Sequence, residues 1–257
     1  IPGVVMKPYP KNSVPKGRGS QPCLRPAFIR LSALALALLM SLSLSLTRHS
    51  ARAQSGRRLT LMVYLCGSDL EEDGGAASID LREMLSALPA DGSVALLVLA
   101  SGARSWQLGI DPNENAVYEV RQDGLQKLRS GPYESMGQSE TLSGFLAFAY
   151  QAYPAEDYAL ILWNHGAGPM MGVCFDSRFT SGQQMDSLSL NELGWALRNS
   201  PFANRKLSWI GFDACLMACV EVASAVAPYA RYMIASQETE PGSGWDYGFI
   251  SRLSPGL

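Results

Sequence analysis

The chain has 257 residues, which is long enough for one large domain or two small ones. Hydrophobic residues make up 47% of the sequence and charged residues 17%, and these proportions exclude a disordered tail and a collagen-like chain. The formal net charge is only −2, but ten of the 21 Lys and Arg residues lie within residues 1–58, whereas the first acidic residue is Asp69. The two ends of the chain are therefore chemically different.

The first 53 residues have the order of features that marks a secretory signal. Residues 1–30 form a basic leader, which we expect to be disordered. The uncharged run LSALALALLMSLSLSL follows and leads to ARAQ, so we interpret residues 31–53 as a signal peptide that is cleaved between Ala53 and Gln54. A core helix is disfavoured because no acidic residue or amphipathic period interrupts the run. An uncleaved membrane anchor stays an alternative, since this run is only slightly shorter than the roughly 17–25 residues of a spanning helix.

Signal cleavage leaves an acidic protein. Residues 54–257 contain 13 Lys and Arg against 23 Asp and Glu, which gives a net charge of about −10. Nucleic-acid binding is disfavoured because it needs clustered cations, whereas basic peptides are compatible partners. We expect the protein to be exported (secreted, periplasmic or at the cell surface), with only transient membrane contact through the signal segment.

Beyond Arg58 the sequence alternates apolar runs with segments of helical periodicity. Runs such as LTLMVYL are typical of strands buried on both faces, and Pro89 and Pro154 end two helical segments. The predicted strands cover residues 59–65, 94–101, 158–166, 207–215 and 232–236, the predicted helices residues 79–88, 139–153, 188–200 and 216–230, and a hairpin pairs SWQLGI with AVYEVR. This alternation predicts an α/β fold with a mostly parallel sheet between layers of helices.

Chemistry in such a fold collects where parallel strands end. Three predicted strands end in CGSDLEE, NHGAGP and DACLMACVE. His165 lies at the second of these ends, and it is the one histidine left after the signal, with His49, is removed. A structural histidine is the alternative, but the flexible glycines that follow favour a functional role.

Four of the five cysteines remain after signal cleavage, which is too few for a disulfide-stapled scaffold of this size. Cys215 lies where a predicted strand meets a predicted helix, and a helix N-terminus stabilises a thiolate. Cys219 is interpreted as a small core residue of that helix. The spacing of Cys and His favours neither a redox motif nor a zinc site, and phosphate-loop, dinucleotide and Gly-x-Ser-x-Gly signatures are missing from the sequence.

The runs LMVYLCGSDLEE, YALILWNHGAGP, GFDACLMACVEVA and ASQETEPGSGWDYG, in this order, resemble the clostripain family of cysteine peptidases, which are relatives of caspases, legumains and gingipains. The resemblance covers Leu59 to the end of the chain. It implies that residues 54–257 form a caspase-like three-layer α/β/α peptidase domain, truncated at its carboxyl end, with His165 as catalytic histidine and Cys215 as nucleophile. No cofactor is expected: some relatives need calcium, but the sequence has no Asp-x-Asp-x-Asp-Gly loop.

The function implied is an exported endopeptidase that cuts after Arg or Lys. Backbone N–H groups at Gly166 are expected to hold the oxyanion. Asp213 is expected to bind the basic side chain, because residues two apart on a strand share a face and Cys215 lies two residues on. Asp246 is the reserve candidate, and the alternatives for Asp213 are to orient His165 or to cap the following helix.

Self-cleavage after Arg178 is expected because resembling enzymes mature in this interval, and residues 173–187 have the composition of an exposed polar loop. An ordinary surface arginine is the alternative. For the whole protein, the alternatives are a catalytically inactive caspase-like surface domain that binds peptides and a membrane-tethered structural protein.

Overall fold

The computed structural model describes residues 56–182 and 184–253. The predicted leader and signal peptide, residues 1–53, lie outside the described residues. Within the described part of the chain, no helix has both the length and the apolar character needed to cross a membrane.

Seven of the nine strands among the described residues form the central sheet, in the order β4-β3-β2-β1-β5-β8-β9. Strands β2, β1, β5, β8 and β9 run parallel to one another. Strands β3 and β4 run antiparallel to their neighbours. The remaining two strands, β6 and β7, form a separate antiparallel pair. The strands are β1 (Leu59–Cys66), β2 (Val94–Ser101), β3 (Glu114–Arg121), β4 (Gly124–Pro132), β5 (Asp157–Trp163), β6 (Val173–Ser181), β7 (Gln184–Leu188), β8 (Leu207–Asp213) and β9 (Ala230–Ile234).

The described residues also form six α-helices and two 3₁₀ segments, of which the second 3₁₀ segment follows β9. The helices are α1 (Ser68–Gly74), α2 (Ala76–Ala87), α3 (Ser139–Ala152), α4 (Gly168–Met171), α5 (Leu190–Arg198) and α6 (Val220–Val226), and the 3₁₀ segments are Pro201–Ala203 and Tyr247–Arg252. Alternate side chains of a strand point to opposite faces, and every residue of β1 is buried. The sheet must therefore be covered on both sides.

The two faces of the sheet carry two separate hydrophobic clusters. Met62 and Tyr64 of β1 belong to one cluster, which α3, α5 and α6 cover. Leu61 and Val63 belong to the other, which α2 and the 3₁₀ segment Tyr247–Arg252 cover. The predicted three-layer α/β/α arrangement with a mostly parallel sheet is confirmed.

Two sequence predictions about the edges of the fold are wrong. The segment SWQLGI is not a strand, and β3 pairs instead with β4, across a turn at Gln122 and Asp123 that leads into Gly124 at φ 134°. Strand β4 was missed because it is an edge strand with mostly exposed side chains and no apolar alternation, although Asp-Gly is a hairpin signal. The expected polar loop at residues 173–187 is the β6–β7 hairpin.

Candidate active site

The site forms where β1, β5 and β8 end side by side. These strands are neighbours and parallel, and the register aligns Leu65 with Trp163 and Trp163 with Asp213. The residues that follow the three strands therefore meet at one edge of the sheet. Asp69 follows β1 and Cys215 follows β8, with His165 between them after β5.

Asn164 joins the chain segments at this edge. Its side-chain Nδ2 donates to the carbonyl of Cys66 (2.8 Å), its Oδ1 accepts from the backbone N–H of Phe175 (2.8 Å), and its own N–H donates to the carbonyl of Asp213 (3.3 Å). The side chain is buried, so each of these polar groups needs a partner. These bonds fix the backbone that carries His165.

His165 is paired with Asp69, the second residue of α1. Its Nε2 lies 3.0 Å from Oδ2 of the carboxylate. The hydrogen bond to Asp69 raises the pKa of His165, against a smaller opposing effect of burial, and the same bond lowers the pKa of Asp69. The pair therefore favours the imidazolium form of the histidine.

Asp69 was missed by the sequence analysis. A signal was present, since Asp69 stands directly after a strand end in CGSDLEE and the carboxyl ends of parallel strands are where chemistry collects. The sequence offered Asp213 as the group that orients His165, but the structure gives that contact to Asp69.

Cys215 lies in a turn, and the prediction that a helix begins directly after it is wrong. Helix α6 begins at Val220 with Cys219 as its N-cap residue, so Cys219 is not inside a helix. The helix starts late because Leu216 has φ 65° and donates its N–H to Glu238 (3.0 Å), while Ala218 donates to Ser236 (2.8 Å). These backbone groups bond across the turn and not along a helix.

The thiol of Cys215 receives a hydrogen bond that the sequence did not reveal. The backbone N–H of Glu240 donates to Sγ at a distance of 3.3 Å. An N–H donor stabilises negative charge on sulfur, which is the effect the sequence analysis had assigned to a helix N-terminus. The thiol is only half-buried, so a substrate can reach it, and its sulfur has a hydrogen-bond donor.

Gly166 allows the His165 turn to touch the Cys215 turn. A Cβ atom at this position would lie 2.2 Å from the carbonyl oxygen of Cys215 and 3.1 Å from Cβ of Ala214. Only glycine fits such a close backbone approach. His165 and Cys215 consequently line one cavity of about 250 Å³.

Asp213 lines the same cavity. Its carboxylate is 5% exposed and accepts hydrogen bonds from the hydroxyl of Tyr247 (3.0 Å) and the N–H of Trp245 (3.3 Å). Burial raises the pKa of Asp213 to about 6 against these two bonds, which lower it. The alternative that Asp213 caps the next helix is wrong, because Cys219 holds that position.

The reserve candidate, Asp246, lies elsewhere. Its Oδ1 accepts from the N–H of Gly248 (2.8 Å) at the start of the last 3₁₀ segment. Asp246 lines a different cavity, together with Ile79 and Arg82 of α2. Its side chain is therefore not part of the cavity that holds Cys215.

Arg178 lies in β6 and not at the tip of a loop. Its guanidinium stacks 3.7 Å from the ring centre of Tyr133, and its Nη1 donates to the carbonyls of Ala103 (3.4 Å) and Pro112. Its backbone N–H donates to the buried Asp176 (3.0 Å). The side chain and backbone are therefore anchored in this form of the protein.

Among residues 56–182 and 184–253, no group of three or more His, Cys, Asp or Glu side chains is arranged to hold a metal ion. The expectation that the protein needs no cofactor stays a prediction. The four cysteines of this region are free, with Cys66 and Cys174 buried.

The sequence model of the clostripain family matches residues 63–256, and the chain belongs to this family. Its members are cysteine peptidases, and the resemblance inferred from the four sequence runs is confirmed. Clostripain from Hathewaya histolytica is 26% identical over 231 residues, covering 78% of this chain and 43% of the relative.

Two solved structures share the fold. One, a secreted C11 cysteine protease from Bacteroides thetaiotaomicron in complex with an irreversible peptide inhibitor, is 24% identical with a TM-score of 0.60. The other, an inactive zymogen C11 protease from Parabacteroides distasonis, is also 24% identical with a TM-score of 0.57. Each match covers 76% of this chain and 53% of the other chain. The chain thus spans about half of the length of these relatives.

The Asp69–His165 pair stabilises the folded protein within a window of pH. Because the pKa of His165 is raised, its contribution is complete below the ordinary histidine pKa of 6.5 and is lost as the pH rises through the raised value. Because the pKa of Asp69 is lowered, its contribution is present above the ordinary value of 3.8 and is lost as the pH falls through the lowered value.

We predict that Asp69→Asn lowers the pKa of His165, since it removes the main group that raises this pKa. An NMR titration of the imidazole protons measures the shift relative to the wild-type protein. Asp73→Asn is the matched control, because Asp73 is exposed on the same helix. An unchanged titration of His165 in the Asp69→Asn variant contradicts the pairing.

Proposed function

We propose that this chain carries the catalytic centre of an exported cysteine endopeptidase that cuts peptide bonds after Arg or Lys. The observation that carries the proposal is that His165, Cys215 and the buried carboxylate of Asp213 line one cavity. Such a cavity offers a nucleophile, a proton donor and a partner for a cation within reach of one another. Membership of the clostripain family supports the reaction class.

In this mechanism Sγ of Cys215 attacks the carbonyl carbon of the scissile bond, and the thiolate is supported by the N–H of Glu240. The carbonyl oxygen becomes an oxyanion, for which backbone N–H groups at the Gly166 turn are the proposed donors. His165 donates a proton to the leaving amine, and water then hydrolyses the thioester. Because Nε2 is engaged by Asp69, Nδ1 is the ring nitrogen left for this proton transfer.

Asp69 acts in this proposal as a positioning residue, since it works through the imidazole. Its bond keeps the ring in one orientation and keeps a proton on it, which is the state needed for protonating the amine. No metal or other cofactor enters the mechanism.

Asp213 supplies the preference for basic residues. A buried Lys or Arg side chain needs a carboxylate partner, because an unpaired cation in a closed cavity is very unfavourable. No Lys or Arg among the described residues forms an ion pair with Asp213, so its negative charge is available to a substrate.

We also propose that the protein is exported and that it is catalytically active. Export is supported by the sequence of residues 31–53 and by a relative that is described as secreted. The inactive, peptide-binding alternative is disfavoured, because both Cys215 and His165 are present and line one cavity.

We predict that Cys215→Ala abolishes peptide hydrolysis, because it removes the attacking sulfur, and leaves the melting temperature within a few degrees of the wild-type value. Hydrolysis of a fluorogenic arginine peptide and circular dichroism measure the two effects. Cys219→Ala is the matched control and is expected to keep most activity, since this half-buried thiol is not among the residues lining the cavity. Loss of activity in Cys219→Ala with retained activity in Cys215→Ala would assign the nucleophile to the other cysteine.

Self-cleavage after Arg178 is also proposed, and it is supported by the zymogen form of one relative. In this structure the cut requires the anchored β6 segment to leave its partners first. We therefore predict a fragment that begins at Phe179 in purified active wild-type protein, an intact chain for Arg178→Gln, and a cut chain for Arg178→Lys. Amino-terminal sequencing distinguishes these cases, and full activity of a wild-type chain that stays uncut argues against processing.

We predict that Asp213→Asn lowers kcat/KM on Arg and Lys peptides by about a hundredfold, because it removes a charged partner of the substrate. Labelling of Cys215 by a small uncharged thiol reagent is expected to continue. Asp246→Asn is the control and should leave the preference unchanged. Equal losses on basic and neutral substrates would place Asp213 in the catalytic machinery, and an unchanged preference for Arg would reject its proposed role in binding the basic side chain.

A further inference from the structure

The cavity that holds Cys215 contains a second buried carboxylate, which no sequence feature had pointed to. Asp80 lies on α2, is 2% exposed and lines the same cavity as Asp213. Its Oδ2 accepts a hydrogen bond from the indole N–H of Trp163 at 2.7 Å. Trp163 is the one hydrogen-bond partner of the Asp80 carboxylate among the described residues, so the other oxygen, Oδ1, is available to a ligand.

The carboxylates of Asp80 and Asp213 converge on one point. A Cβ atom built on Gly244 would lie 3.2 Å from both carboxylate oxygens of Asp213 and 3.5 Å from Oδ2 of Asp80. Gly244 also has φ 64°, a conformation that favours glycine. The chain therefore passes close to both carboxylates without a side chain that would fill the space between them.

No Lys or Arg among the described residues balances the negative charge at this point, and the imidazole of His165, which also lines the cavity, is paired with Asp69. The cavity is lined by three carboxylic acids, Asp80, Asp213 and Glu240, and by no Lys or Arg among the described residues. Burial raises the pKa of Asp80 to about 7, with smaller contributions from the charges of Asp213 and Glu83, while the Trp163 bond lowers it. Two neighbouring buried acids are unfavourable without a cation, so a cationic ligand suits this end of the cavity.

We propose that Asp80 is a second specificity-determining residue, which shares the guanidinium of a substrate arginine with Asp213 and makes the cavity prefer Arg to Lys before the cleaved bond. This inference rests on the proposed function, because it concerns the same cavity and the same class of substrate.

The shape of the two cations explains the preference. A guanidinium is planar and presents five N–H donors in a fixed fork, so it can bond to two carboxylates from different directions at once. An ammonium group is a compact charge that is satisfied by one carboxylate and by water or carbonyl groups. Asp213 alone therefore serves both residues, whereas Asp80 adds a bond that mainly arginine uses.

The test compares kcat/KM for two peptides that differ only in Arg or Lys before the cleaved bond. It is made at about pH 8, where both carboxylates are ionised. Asp80→Asn is expected to reduce the ratio of kcat/KM for the Arg peptide to kcat/KM for the Lys peptide by about tenfold or more, which is the effect of one charged hydrogen bond. The change is expected in KM for the Arg peptide. The kcat values and the Lys peptide should change little.

Glu83→Gln is the matched control, because Glu83 lies one turn further along α2, carries the same charge and accepts the N–H of Tyr247 outside this cavity. Its ratio of Arg to Lys should equal that of the wild type. An unchanged ratio in Asp80→Asn, or equal losses on both peptides, overturns the inference and leaves the proposed function standing. If the wild-type protein shows no preference for basic residues, the proposed function is wrong, and so is the proposed role of Asp80.

A measurement on the wild type covers the case in which Asp80→Asn does not fold. The ratio of kcat/KM for the Arg peptide to that for the Lys peptide should fall as the pH drops from about 8 to about 6, because Asp80 then takes up a proton. The ionisable groups around it are Asp213, Glu83, Glu240 and Tyr247. Protonation of His165 affects both peptides equally and cancels in the ratio. A ratio that is constant over this range contradicts the role of Asp80.

Discussion

The buried amide of Asn164 connects the sheet to the chemistry of this protein. A buried amide must satisfy its donors and its acceptor, and here its partners are backbone groups at the last residue of β1 and within β6. Its own N–H is bonded to the last residue of β8. One residue thus aligns the ends of three parallel strands, and the position of His165 follows from it. Close packing at Gly166 then sets the distance between the two turns that line the cavity.

Most of the central sheet could be predicted from sequence because its strands are buried on both faces. Such strands are continuous apolar runs, and the runs at β1, β2, β5 and β8 were found within a few residues of their observed bounds. The positions of His165, Cys215 and Asp213 in one cavity followed from the same reasoning, since the ends of adjacent parallel strands must meet. These predictions depend only on local pattern and on topology.

The features that could not be predicted depend on contacts between distant segments. The turn after Cys215 is held by N–H groups that bond to carbonyls about twenty residues away, so an apolar segment of helical composition remains partly unwound. The convergence of Asp80 and Asp213 joins residues from α2 and β8, with Gly244 from a third segment. A local sequence pattern does not predict which face of a helix packs against the end of which strand. Strand β4 was missed for a different reason, because exposure removes the apolar alternation that marks a strand.

The distribution of thiols determines how this protein responds to oxidation. Cys66 and Cys174 are fully buried, and burial raises the pKa of both thiols, so neither forms the thiolate that oxidants attack. Cys215 and Cys219 are partly exposed. In the exported environment that we propose, an oxidant therefore reaches sulfur at the cavity before it reaches the core. A sulfenic acid or mixed disulfide formed on Cys215 removes the proposed nucleophile while the hydrophobic layers stay packed, and a reducing thiol restores it. Under the proposed function, oxidative inactivation of this protein is then a reversible event at its surface and not a step toward unfolding.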